Sequence, residues 1–212
     1  MGMVMIQAIS RLAATLHGPV YRSRLKELLR HILPHLKTGD RVLDVGCGNG
    51  RLGRALMEAP SSPEGLKVEG LERVVRGGEP ITVHAYDGHA IPFTDGNFDV
   101  VLLADVLHHE ENPDHLLKEC ARVCRRLLII KDHQIKGAFA HSRIKLLDWA
   151  ANAPYGVPCL YRYNTPEQCK RMPDLVGMES IHTVPSMRLY PFPYWLIFGD
   201  SLQYFTVLKK SD

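Results

Sequence analysis

Residues 42–50, VLDVGCGNG, set an acid inside a run of apolar, strand-forming residues and follow it with three alternating glycines. RVLDV (41–45) reads as a buried strand, GCGNG as a turn and RLGRALMEA (51–59) as the helix after it. A glycine turn between the first strand and helix of a parallel sheet puts bare backbone against a ligand, with helix N–H groups aimed at negative charge. The dinucleotide fingerprint G-x-G-x-x-G is present as Gly48-Asn49-Gly50-Arg51-Leu52-Gly53. Its phase is wrong, because a pyrophosphate loop leaves its strand directly, which here means at Gly46. The in-phase reading is Asp44-Val45-Gly46-Cys47-Gly48-Asn49-Gly50. A carboxylate at the mouth of the strand repels a pyrophosphate and suits a cationic ligand group.

Outward from this turn the chain alternates strand and helix. Upstream, 21–37 carries a stripe of Leu25, Leu28, Leu29, Ile32, Leu33 and Leu36 with Arg and Lys opposite, a helical pattern. Downstream, LKVEGLE (66–72), ITVHAYDG (81–88), FDVVLLA (98–104) and RLLIIKD (126–132) read as strands. The connection RVVRGGEP (73–80) is too short for a full crossover helix. Asn112–Pro113 opens a helix as N-cap and first-turn proline, with a stripe of Leu116, Leu117, Cys120, Val123, Cys124 and Leu127. Thr165 and Gln168 form a capping box for another helix. MESIHTV (178–184) and LQYFTVLKK (202–210) supply closing strands, the last antiparallel. The pattern predicts an α/β fold: a doubly wound, mostly parallel sheet with helices on both faces.

At 212 residues the chain has the length of a single α/β domain. Its expected parts are an N-terminal helical cap (1–37), a ligand-binding core (38–132), an aromatic-rich insertion (133–165) and a C-terminal helix with strands (166–212). The formal net charge of +3, without a Lys/Arg block, argues against nucleic acid as the main partner. Five cysteines without a C-x-x-C pair or a zinc spacing point to free thiols in a reducing compartment. The first 18 residues lack the apolar core of a signal peptide or membrane span, and Ile6 stands where a myristoylation signal needs Ser or Thr. The expected location is cytoplasmic; oligomeric state has no signature.

The acid followed by G-x-G-x-G resembles the first motif of class I S-adenosylmethionine-dependent methyltransferases. Further matches lie at VEGLE (68–72) and YDGHAIPFTDGNFDVVLLADVLHH (86–109), the latter similar to the ubiquinone/menaquinone-biosynthesis-like branch of that superfamily. The resemblance covers about 20–132. It implies a seven-stranded sheet of order 3-2-1-4-5-7-6 and S-adenosyl-L-methionine as cofactor, with an ammonium and a sulfonium and no phosphate. Asp44, Gly46, Cys47, Gly48 and Gly50 then form the cofactor turn. Glu72 accepts from the ribose hydroxyls, with Glu69 as fallback. Asp87 takes the adenine amine, unless it only makes an Asx turn, and Gly88 lies beside the ring. Ala104 offers its carbonyl to the methionyl ammonium, and Tyr21 with Arg22 closes over the cofactor as a lid.

Methyl transfer is an in-line displacement at a sulfonium, so the protein mainly supplies alignment; a base matters only for an acceptor that keeps its proton. Candidate catalytic residues are His133, at the end of the fifth strand, His109, after the fourth, and Tyr163, in the insertion. His108 and His109 suit packing or loop hydrogen bonding better than the role of a base. Asp132 could orient His133 or bind a metal, though no second carboxylate cluster supports a divalent site. Trp149, Tyr155, Tyr161 and Tyr163 either line the pocket of a small-molecule acceptor or fill core. Asp99 reads as structural at a strand entrance, and Cys120 with Cys124 as core thiols on one helix face. Two rivals stand beside methyl transfer: a nicotinamide-dependent oxidoreductase using the out-of-phase glycines, and a module that binds the cofactor without transferring its methyl.

Overall fold

A computed structural model describes residues 18–152 and 159–211. The N-terminal stretch read for targeting signals, up to residue 17, and Tyr155 lie outside the described residues. Helix α1 (18–32) runs into a 3-10 turn, Leu33–His35, because Pro34 cannot donate the bond that would continue the helix. Then follow β1 (Arg41–Val45), α2 (Arg51–Glu58), β2 (Lys67–Glu72), β3 (Val83–Ala85), β4 (Phe98–Ala104) and α3 (Pro113–Val123). The chain continues through β5 (Cys124–His133), α4 (Ala140–Asn152), α5 (Pro166–Val176), β6 (Met178–Val184), α6 (Tyr194–Phe198) and β7 (Gln203–Lys210).

These strands make one seven-stranded sheet of order β3-β2-β1-β4-β5-β7-β6. The first five are mutually parallel, while β7 runs antiparallel to both β5 and β6. The expected order holds. Bends and irregular backbone, without a helix, join β2 to β3. The caps form as read: the Asn112 side chain accepts from the His115 N–H, and Thr165 and Gln168 bond reciprocally.

Alternating residues of the central strands feed two cores, as a sheet buried on both faces requires. Leu43, Val45, Val101, Leu103, Leu128 and Ile130 pack toward α3 and α5. Val42, Val100, Leu102 and Ile129 pack toward α1 and α2, under Leu28, Ile32, Leu52 and Leu56. One expected element is corrected. Cys124 and Leu127 do not extend the stripe of α3; the helix ends at Val123, and Cys124 is extended at φ −79°, ψ 132°. The run LLII (127–130) is claimed by β5, where both of its faces are buried. Cys120 and Cys124 are buried thiols all the same. Asp99 is structural, accepting from the Arg41 N–H at 2.9 Å and from Arg125 at 3.0 Å.

Candidate active site

The glycine turn leaves β1 at the switch point of the sheet, where chain connections depart in opposite directions toward β2 and β4. Gly46, Gly48 and Gly50 have φ of 67°, 58° and 70°, a region costly for a side chain. Their surroundings differ. A methyl group on Gly46 would strike Val106, and one on Gly50 would strike Ile81. On Gly48 it would meet nothing within 4 Å. Gly53 serves packing, since a Cβ there would collide with Val68 and Ile81 and lift α2 off the sheet. The out-of-phase fingerprint is thereby explained without a dinucleotide.

Carboxylates rim the turn. Glu72, at the end of β2, accepts from the Gly48 N–H at 2.8 Å and from the Arg73 N–H at 2.9 Å. The backbone donor that a phosphate would use is already committed to a carboxylate. Asp44 is only 2% exposed, and its Oδ2 has no hydrogen-bond partner. Burial, opposed by Arg24 and reinforced by Glu72, pushes its carboxyl up to about 7. The Cys47 thiol packs over Gly70, and burial together with Asp44 and Glu72 pushes it up to about 12, so it is not a reactive thiolate. Half-buried Tyr21 on α1 has Arg24, Arg51 and Asp44 as charged neighbours, and burial raises its hydroxyl above the ordinary range. Arg22 is exposed. Glu69 is engaged away from the turn, with Arg41 at 3.2 Å and His84 at 2.8 Å.

On the expected adenine side, exposed Asp87 makes the Asx turn, accepting from the His89 N–H at 2.7 Å and the Ala90 N–H at 3.2 Å. Gly88, at φ 86°, leaves room for the Arg73 guanidinium directly over its Cα. Arg73 reaches on to Glu110, at 2.6 Å. A flat ring beside Gly88 therefore meets Arg73 first, and either stacks on the guanidinium or displaces it.

Ala104 ends β4, and Asp105 turns the chain there with φ 64°. Asp105 was not foreseen from sequence. Its Oδ2 takes Arg24 Nε at 3.0 Å and Nη2 at 2.8 Å, and its Oδ1 takes Nζ of Lys131, a side chain 1% exposed. Burial alone would raise the Asp105 carboxyl; Lys131 and Arg24 outweigh it and hold the group well below the usual carboxylate range. The cluster pins α1 over the ends of β4 and β5. Neither Arg24 nor Lys131 carries a local signal, because the pairing spans 81 residues in one case and 26 in the other.

The expected catalytic residues fare differently. His133 is 6% exposed, and burial beside Lys131 pushes its imidazole down to about 3, a weak base at neutral pH. Asp132 does not orient that ring. Its Oδ1 accepts from His108 Nδ1 at 2.5 Å and its Oδ2 from the Leu107 N–H at 2.8 Å, so it fixes the 3-10 turn Leu107–His109 after β4. Tyr163 is core, packed with Ala140, Ile144 and Leu202, and its hydroxyl donates to Asp148 Oδ2 at 2.7 Å. Burial and that carboxylate raise the phenol far above its ordinary range, which holds it protonated. His109 keeps a partly exposed side chain, with Nε2 3.9 Å from Asp148 Oδ1. Trp149 is 56% exposed, so it does not fill core as Tyr163 does. Tyr161 lies under Lys145, 5.0 Å from ammonium to ring centre.

A family model described as a methyltransferase domain matches residues 20–178. The chain belongs to this methyltransferase family. Among its curated relatives, 27-O-demethylrifamycin SV methyltransferase of Amycolatopsis mediterranei is 33% identical over 116 residues, 49% of this chain and 41% of that protein. A ubiquinone/menaquinone biosynthesis C-methyltransferase of Neisseria meningitidis is 31% identical over 132 residues, 53% of each. The chain spans about half, or less, of the length of these curated relatives. A solved S-adenosylmethionine-dependent methyltransferase from Thermotoga maritima superposes with a TM-score of 0.67, covering 100% of both chains at 18% identity, a likeness of fold. S-adenosyl-L-methionine is the cofactor this methyltransferase family implies. The residues fit it, with open space at Gly48 and a buried carboxylate oxygen at Asp44 that lacks a partner. Among the described residues, no helix is long and apolar enough to cross a membrane.

Proposed function

We propose that the chain transfers a methyl group from S-adenosyl-L-methionine to a small-molecule acceptor. The observation that carries this is the pair of carboxylates at the glycine turn: buried Asp44 with an unpartnered oxygen, and Glu72 already holding the Gly48 N–H. That rim repels a pyrophosphate and favours a cationic ligand, which disfavours the nicotinamide reading. When bound, the cofactor supplies an electrophilic methyl on its sulfonium. Asp44 faces the cationic end. Glu72 keeps lone pairs for the ribose hydroxyls while it fixes the turn. Gly48 lets the cofactor approach the backbone, and Ala104 offers its carbonyl to the ammonium. The names of the relatives, a demethylrifamycin methyltransferase and a C-methyltransferase of ubiquinone/menaquinone biosynthesis, support a small molecule over a macromolecule.

Calorimetric titration with S-adenosylhomocysteine and with NADH tests the reading. Binding of the first and none of the second is expected. Glu72→Ala should weaken that binding by about 1–3 kcal/mol, the cost of stranding hydrogen-bond partners in a buried site. An unchanged affinity in folded Glu72→Ala removes Glu72 from the site. Methyl consumption over an acceptor panel then tests transfer, and binding without turnover on every acceptor leaves a cofactor-binding module.

The charge of Asp44 gives the binding a pH signature. A carboxyl raised to about 7 in the free protein must ionise to meet an ammonium. Affinity should therefore rise about fivefold from about pH 6 to pH 7.5, then fall above about pH 8 as the cofactor's own α-ammonium deprotonates. In Asp44→Asn only the fall should remain. A wild-type affinity flat between pH 6 and 7.5 would sever the link to Asp44.

A further inference from the structure

Behind the turn Leu107–His109, three side chains from two separate parts of the chain converge. His108 and His109 are consecutive, yet their rings lie 4.0 Å apart between centres, and both Nε2 atoms come to 3.9 Å from Asp148 Oδ1. Asp148 arrives from α4, with a side chain 0% exposed. The three donor atoms lie within 4.8 Å of one another. We propose that His108 Nε2, His109 Nε2 and Asp148 Oδ1 form a binding site for a divalent transition cation of the zinc type.

The groups around the cluster are arranged as the surroundings of a metal site are. His108 gives its other nitrogen, Nδ1, to the Asp132 carboxylate at 2.5 Å, which fixes the tautomer with its lone pair on Nε2. Asp132 is itself anchored by the Leu107 N–H at 2.8 Å. Asp148 has its second oxygen held by the Tyr163 hydroxyl at 2.7 Å, which turns Oδ1 toward the imidazoles. The Asp132 bond fixes the plane of the His108 ring, and the Tyr163 bond fixes the plane of the Asp148 carboxylate. Two imidazoles and one carboxylate suit Zn²⁺ or Co²⁺ and suit Mg²⁺ or Ca²⁺ poorly. Metal–ligand lengths of about 2.0–2.1 Å need donors roughly 3.4 Å apart in tetrahedral geometry, so each imidazole has to approach Asp148 by about half an ångström, and any donor pair as far apart as the 4.8 Å limit has to close by about 1.4 Å. His109 is the half-open side, 21% exposed, by which an ion enters.

With three protein ligands the ion keeps an open position. There it would hold the oxygen of a hydroxyl acceptor and lower the pKa of that hydroxyl, releasing the proton to water. That role rests on the methyl-transfer reading; the site itself does not. The competing occupant is a proton, which would make His108 an imidazolium between Asp132 and Asp148.

The test uses the whole chain, stripped with a chelator, and needs no cofactor or acceptor. Zn²⁺ is titrated by calorimetry, and Co²⁺ is followed by its visible absorption. The site requires one equivalent of Zn²⁺ at micromolar or tighter affinity, intense Co²⁺ bands of a four- or five-coordinate ion, and a melting temperature raised by Zn²⁺. His109→Ala and Asp148→Asn should lose at least tenfold in affinity. Asp132→Asn should lose about 10–100-fold through the orientation of His108. His141→Ala is the control: its ring lies 6.1 Å from that of Tyr163, outside the cluster, and uptake should be unchanged. Since Asp148→Asn can disturb packing at Tyr163, His109→Ala, with its partly exposed side chain, is the decisive variant. No uptake by the wild type, equal uptake by His109→Ala, or ¹⁵N spectra showing both His108 nitrogens protonated with Zn²⁺ present would each overturn the site.

Discussion

Asp105→Ala is expected to cost about 3–5 kcal/mol of folding stability, the largest loss from one side chain at this end of the sheet. The reason is asymmetry. Asp105 sits between Arg24, from α1, and Lys131, whose side chain is 1% exposed in the middle of the molecule. Removing the carboxylate leaves the Lys131 ammonium buried without its counter-charge, and unfastens the only side-chain hydrogen bonds that tie Arg24 to this end of the sheet among the described residues. Lysine in that state must either drop its proton or draw water inward. Position 105 also has φ 64°, which Asn tolerates and Ala does not. Asp105→Asn therefore separates the charge from the backbone and should recover about 1 kcal/mol of the loss. Urea unfolding of both variants measures the difference. A loss below about 1 kcal/mol in Asp105→Ala would show that the cluster does not hold the fold. The Asp105 carboxyl lies below its ordinary value in the folded state, so its contribution is present at neutral pH and fades only as acid titrates it.

Gly48→Val should abolish cofactor binding, by about two orders of magnitude or more, equivalent to about 3 kcal/mol. The other turn glycines cannot give so clean a result. A side chain on Gly46 or Gly50 strikes Val106 or Ile81, so a loss of binding there is mixed with a loss of packing. At Gly48 an added Cβ meets nothing within 4 Å, and the backbone cost is that of a side chain at φ 58°, about 1–2 kcal/mol. The branched side chain fills the space the cofactor needs. Circular dichroism and urea unfolding check that the fold survives, and titration with S-adenosylhomocysteine reads the binding. Wild-type affinity in Gly48→Val would place the cofactor elsewhere.

These expectations rest on two kinds of information. Local patterns read through directly: β4 runs over Phe98–Ala104 as its apolar run indicates, Asn112 and Thr165 cap their helices, and the sheet has the order implied by the resemblance. Periodicity failed at 124–127, where a helical stripe continued into a strand. The same apolar residues satisfy both patterns, and burial on both sides of the sheet decided between them.

Asp44 and the glycines of the turn stand out in the sequence because a tight turn is written in consecutive residues, whereas Glu72, 24 residues beyond Gly48, was reached through the resemblance at 68–72. That much the chain determines by itself. Whether Asp132 turns His108 or His133, and whether Lys131 is a surface charge or a buried one, are questions of distance between segments tens of residues apart. Only the packing of α1 and α4 against the strand ends answers them. It encloses Asp105 with Lys131, and Asp148 with the two histidines, and in the absence of water each buried charge is governed by whichever partner the fold brings within about 4 Å.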